Sequence, residues 1–99
     1  MTRWVVIFED KPEMLEIRAD KKRRDAHIAY AKAHRELLIG GGLKPDIAAD
    51  FCGALWIVEA NTKTAIEQLI RKDPFYIEAY RSYKIFTWGK ILEDEIVTL

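Results

Sequence analysis

The apolar residues fall into two patterns: short β-branched or aromatic runs, and stretches with three- and four-residue steps. These predict strands and helices in turn. Arg3-Trp4-Val5-Val6-Ile7-Phe8, closed by Glu9-Asp10-Lys11-Pro12, predicts a first strand. Pro12 suits a first helical turn, so Glu13 to Arg18 reads as a short helix. From Arg24 to about His34, Ala26, Ala29, Tyr30, Ala33 and Leu37 recur at helical spacing and define an expected buried face. His27 and His34 fall together on the flank of that stripe. Ile28 falls nearly opposite and is expected to pack beneath the preceding short helix.

Leu37-Leu38-Ile39 predicts a second strand running into Gly40-Gly41-Gly42, and Ala54 to Val58 a third, with a loop from Lys44 to Gly53 between them. Asn61 or Thr62 is placed to cap the next helix. Its inward positions are Ala65, Ile66, Leu69 and Ile70, and Pro74 sets its end. Phe75 to Tyr80 predicts one or two further helical turns, and Tyr83 to Trp88 a fourth strand.

The order strand, helix, strand, strand, helix, strand predicts an α+β fold of the ferredoxin-like βαββαβ type. In it a four-stranded antiparallel sheet carries both helices on one face. A sheet with one wet face alternates apolar and polar residues. The first strand is instead apolar on both faces (Trp4, Val6, Phe8 against Val5, Ile7), and so is the third (Leu55, Ile57 against Trp56, Val58). Helices cover only one face, so the other is expected to meet a second copy of the chain, giving a homodimer through sheet faces.

A length of 99 residues predicts one domain spanning 1–99, and 49% apolar with 32% charged residues places it among globular chains. The 16 basic and 16 acidic side chains cancel, which argues against a general nucleic-acid binder. An RNA-binding sheet needs exposed aromatics among cations. The last strand carries Tyr83, Lys84, Phe86 and Trp88, but the first and third present Val and Ile instead. Cys52 is alone, so neither an intramolecular disulfide nor a thiolate metal site is expected. No run approaches the ~20 apolar residues that span a bilayer. A cytoplasmic protein without a membrane segment is the expectation.

Four features carry candidate chemistry. His27 has a side chain whose ordinary titration range suits a general acid or base. His34 lies about 10.5 Å further along the helix axis, too far to share a metal with it. Asp73 before Pro74 admits two readings, a cap for the following turn or a carboxylate that orients His27. Gly40-Gly41-Gly42 lacks the residues of a phosphate loop and reads as a bulge or a close approach of backbone or ligand. Trp4, Trp56 and Trp88, one per strand, suit core or interface packing, or the wall of an aromatic-ligand pocket.

The Arg24-x-x-His27 helix start, the Leu38-to-Gly42 turn, the Asp73-Pro74-Phe75 helix end and the closing strand with Trp88 resemble the YCII-related (YciI-like) family, over about Val5 to Ile91. Residues 92–99 form an acidic tail outside that match. The resemblance implies a dimeric α+β barrel related to muconolactone-isomerase-like proteins. It implies a pocket between helices and sheet in which His27 and Asp73 form an active pair and Arg24 is an anion partner. One branch of the family is a dehydrochlorinase of a chlorinated hydroquinone.

The chain departs from the family pattern at Asp25 and Thr87, where proline is common, and Asp25 competes with Asp73 as the carboxylate near His27. The expectation is an acid–base enzyme that uses no cofactor and no metal on a small aromatic or anionic metabolite. Its catalytic residues are His27 and Asp73, with Arg24, Gly41, Phe75 and Trp88 at the substrate. The rival expectation is a non-catalytic module that binds a ligand or partner.

Overall fold

A computed structural model describes residues 2–89. The tail at 92–99 and the end of the expected match at Ile91 lie outside the described residues. Four strands, β1 (Thr2–Asp10), β2 (Leu37–Leu43), β3 (Gly53–Ala60) and β4 (Arg81–Thr87), form one sheet in the order β2-β3-β1-β4, every neighbouring pair antiparallel. The helices are α1 (Met14–Ala19), α2 (Lys21–Ala33) and α3 (Lys63–Arg71). This is the ferredoxin-like arrangement. The strand pairing that connects distant segments, β1 with both β3 and β4, puts the most apolar strands at the centre.

Register fixes which side chains share a face. Val6 pairs with Trp56 on one side and Ile85 on the other, and Phe8 with Ala54 and Tyr83. These alternate positions point to the helices, where Val6, Phe8, Trp56 and Val58 bury against Ile66, Leu69 and Ile70 of α3. The Phe8 and Trp56 rings meet edge to face, with centroids 4.9 Å apart. Tyr30 of α2 packs against the same cluster, so α2 and α3 cover the same face of the sheet. Of the two expected caps for α3 it is Thr62 that acts, its hydroxyl oxygen accepting the Ala65 N–H at 3.2 Å.

Several expectations need correction. The stripe Ala26, Ala29 and Ala33 on α2 is exposed; the docked residues are Arg23, His27, Tyr30 and Ala31. Alanine is apolar but small, and on this helix the longer side chains one position away reach the neighbouring element. Ile28 stays 44% exposed rather than covered by α1. Ala65 is exposed, one step off the buried face of α3. Residues 75–80 form turns, not a helix; Tyr80 and Arg81 both donate backbone hydrogen bonds to the Ile77 carbonyl.

Gly40 to Gly42 do not turn the chain but extend edge strand β2, after a register shift between Leu37 and Ile39. A Cβ on Gly40 would stand 2.9 Å from Cδ1 of Trp56, and one on Gly42 2.5 Å from the Phe51 ring. The glycines let two aromatic rings lie against the edge strand. No described helix is long and apolar enough to cross a membrane.

Candidate functional site

α2 docks onto the end of α3 through a run of polar contacts one or two turns apart. Arg23 Nη1 donates to the Pro74 carbonyl at 2.9 Å. His27 Nδ1 lies 2.7 Å from Asp73 Oδ1, and the Tyr30 hydroxyl donates to the Leu69 carbonyl at 2.6 Å. Positions 23, 27 and 30 follow the three- and four-residue step of one helix face.

Asp73 has both of the roles its sequence position allows. Its Oδ1 accepts the Phe75 N–H at 3.0 Å, closing the turn after α3, and the same oxygen faces His27. The side chain is only 2% exposed. The turn in its turn seats Phe75 flat on the His27 imidazole, with ring centroids 4.0 Å apart and planes 7° from parallel. A carboxylate oxygen that already accepts one N–H also accepts from His27, so Nδ1 is the donor and Nε2 is left able to take or give a proton. Asp25, the competing carboxylate, instead pairs with Lys21 in an exposed contact at 2.6 Å.

His27 lines a cavity of ≈ 270 Å³ between α1, α2 and the β2 edge of the sheet, walled also by Gly41, Trp56 and Phe75. That volume is at the small end of ligand pockets and suits a single substituted ring. Arg18 and Arg81 line the cavity as well. Arg81 grips Asp10 with two hydrogen bonds, Nε to Oδ1 at 2.7 Å and Nη2 to Oδ2 at 2.9 Å, both side chains 1% exposed. Arg18 Nη2 donates to the Gly53 carbonyl at 2.7 Å and reaches Asp10 Oδ2 at 3.3 Å. Its guanidinium lies 4.6 Å from the centre of the Phe51 ring. Burial, and then the neighbouring Arg81 charge, push the Arg18 guanidinium below its ordinary value, against the pull of Asp10. On α2, burial, followed by the Asp73 and Glu36 carboxylates, pushes the Tyr30 phenol up to about 12.

Of the residues expected at the site, the structure thus brings together His27, Asp73, Phe75 and Gly41. Arg24 is exposed and does not line the cavity. Arg23 and Tyr30 lie to one side of His27 around the helix and form the docked face with it, whereas Arg24 falls on the other side. Trp88 is 40% exposed and stands apart from the cavity. The cavity meets β4 at Arg81, seven residues and about 23 Å of extended chain away.

Sequence reasoning missed Arg18, Arg81 and Asp10. A signal was there for two of them. Asp10 is in phase with Val6 and Phe8, and Arg81 with Tyr83 and Ile85, so each puts a charge on the inward phase of a strand. Among the described residues no three His, Cys, Asp or Glu side chains are grouped as metal ligands would be.

Fold and site together define a ferredoxin-like α+β domain with a histidine–carboxylate pair on the wall of a ring-sized cavity. The family model of the YCII-related domain matches residues 2–89, and the chain belongs to that family. Among solved structures it is similar to 5-chloro-2-hydroxyhydroquinone dehydrochlorinase from Burkholderia phenoliruptrix, in complex with 2,5-dihydroxybenzoquinone. The TM-score is 0.74 at 22% identity, over 88% of this chain and 93% of that one. At that identity the likeness is one of fold. No curated protein matches the chain.

Proposed function

We propose that the protein is a cofactor-independent acid–base enzyme for proton transfer, elimination or isomerisation on a small aromatic or anionic metabolite. His27 Nε2 is the acid or base, and Asp73 orients the ring. The 2.7 Å contact between His27 and Asp73 at the cavity wall carries this reading. Phe75, stacked on the imidazole, leaves the ring little freedom to turn. The rival reading, a non-catalytic binding module, is disfavoured because the two side chains meet and His27 lines the cavity. The similar dehydrochlorinase, which acts on a chlorinated hydroxyhydroquinone and was solved with a dihydroxybenzoquinone, supports a planar oxygenated ring as the ligand.

The test is turnover of such ring compounds by the wild type and by His27→Ala and Asp73→Asn. His27→Ala should lower the rate by about 10²–10⁴ with the fold intact. Unchanged turnover by a folded His27→Ala protein removes the assignment.

The proposal includes a homodimer through the open sheet face. In the single chain that face shows Ile39 and Phe86 at 42% and 48% exposure. Their registered neighbours there, Ile57 and Val5, are also apolar. Arg3 and Glu59 pair across the strands at 3.2 Å, so this part of the face adds no net charge against an identical copy. Phe86→Glu should turn a dimer into a monomer in light scattering; a wild-type monomer would end this part of the reading. A cytoplasmic location belongs to the same proposal, since the exposed Cys52 stays reduced there; cell fractionation checks it.

A further inference from the structure

We propose that Arg18 anchors an anionic oxygen, carboxylate or phenolate, of the ligand in the His27 cavity. The inference deepens the acid–base reading of that site and rests on it for the site's identity. The cavity wall holds Arg18, Arg81 and Lys32 as cations and no carboxylate. Two of these cations, the buried Arg81 and the partly buried Arg18, share the single carboxylate of Asp10. Arg81 takes the better part of it, with two bonds at 2.7 and 2.9 Å, and Arg18 the remainder at 3.3 Å. One positive charge of that trio is left uncompensated, and it is Arg18's.

Its donors tell the same story. Nη2 is occupied by the Gly53 carbonyl and Asp10, but Nε is buried and has no hydrogen-bond partner among the described residues. A buried donor without a partner is rare in a folded protein and costly to keep, so this guanidinium is incompletely satisfied by the protein itself. The glycine at position 42 also leaves room beside this group: a Cβ there would come within 3.3 Å of Arg18 Nη1. An oxyanion in the cavity supplies the missing charge and an acceptor for Nη1, which makes no hydrogen bond among the described residues. Arg18 and His27 line one ring-sized cavity, so a ring held there by its anionic oxygen lies in the space that His27 also borders.

The experiment compares benzoate with benzamide, two rings of one size that differ in charge. Calorimetry should show benzoate binding about tenfold or more tightly, and the Arg18 Nε–H resonance should move on titration with benzoate but not with benzamide. Arg18→Gln should abolish the preference; if that variant does not fold, the wild-type resonance decides. Equal affinity for the two rings, no binding of benzoate, or an Arg18 signal that stays in place overturns the proposal. Binding does not depend on turnover, so the two readings fail separately. A His27→Ala protein with unchanged turnover and an intact benzoate response would sink the acid–base enzyme and leave the anion site standing.

Discussion

α2 and α3 lie over the same sheet face and are held there by different physics. α3 buries Ile66, Leu69 and Ile70 in the core, and Thr62 caps it. α2 buries no residue fully and is fastened by hydrogen bonds from Arg23, His27 and Tyr30 to the end of α3 and the turn beyond it. Burial of apolar area is insensitive to small displacements, whereas hydrogen bonds demand particular directions. The helix that carries the histidine is thus the one whose attachment fixes angles. The cavity, with its charged wall, lies on the α2 side.

The contrast can be broken from either side. The largest loss should come from the polar side: Asp10→Ala leaves the buried Arg81 guanidinium unpaired and should cost about 3–5 kcal/mol in urea unfolding. A loss near 1 kcal/mol would mean that water or another group replaces the carboxylate. On the apolar side, Ile70→Ala should cost about 2–5 kcal/mol through lost burial and the cavity left behind.

Tyr30→Phe should cost about 1 kcal/mol, the worth of one hydrogen bond to the Leu69 carbonyl. It should also change the response to alkali. The Tyr30 phenol titrates near 12 in the fold, against an ordinary value of about 10 when unfolded. A raised value means that the folded state favours the protonated form. That contribution is complete below about pH 10 and is lost as pH climbs through 12. Unfolding measured across that window should therefore be less steeply pH-dependent in Tyr30→Phe, and an identical slope would remove Tyr30 as its source. The smallest effect belongs to the exposed alanine stripe: Ala29→Glu should change stability by no more than about 0.5 kcal/mol. A larger loss would show that the stripe is covered after all.

The same contrast explains what could be read from the chain. Strand β3 and helix α3 are legible because burial writes apolar residues at regular steps, as in Leu55 to Val58 or Ile66, Leu69 and Ile70. α2 is misread in its facing because two of its docked positions are Arg23 and His27, which no hydrophobic pattern marks; of the expected stripe on the helix only Tyr30 docks. Its alanines suggest a face that the fold leaves to solvent. Asp73 could be left between two roles on sequence alone. One oxygen performs both, and only coordinates show an oxygen's second partner. Arg18 escaped because its meaning depends on Asp10 and Gly53, which reach it through the turns of the chain and not through local spacing.

Asp10 and Arg81 are 71 positions apart, and His27 and Asp73 46. Each pair joins segments that meet only when the distant strands and helices have found their places, β1 against β4 and α2 against the end of α3. Contacts of such long sequence separation make folding slow. The cavity needs both pairs of segments in place, so it belongs to the folded state and is absent from the unfolded chain. A ligand that binds it would act only on the finished state and would raise the apparent stability with its concentration. Ligand occupancy would then report the fraction of chains that are folded.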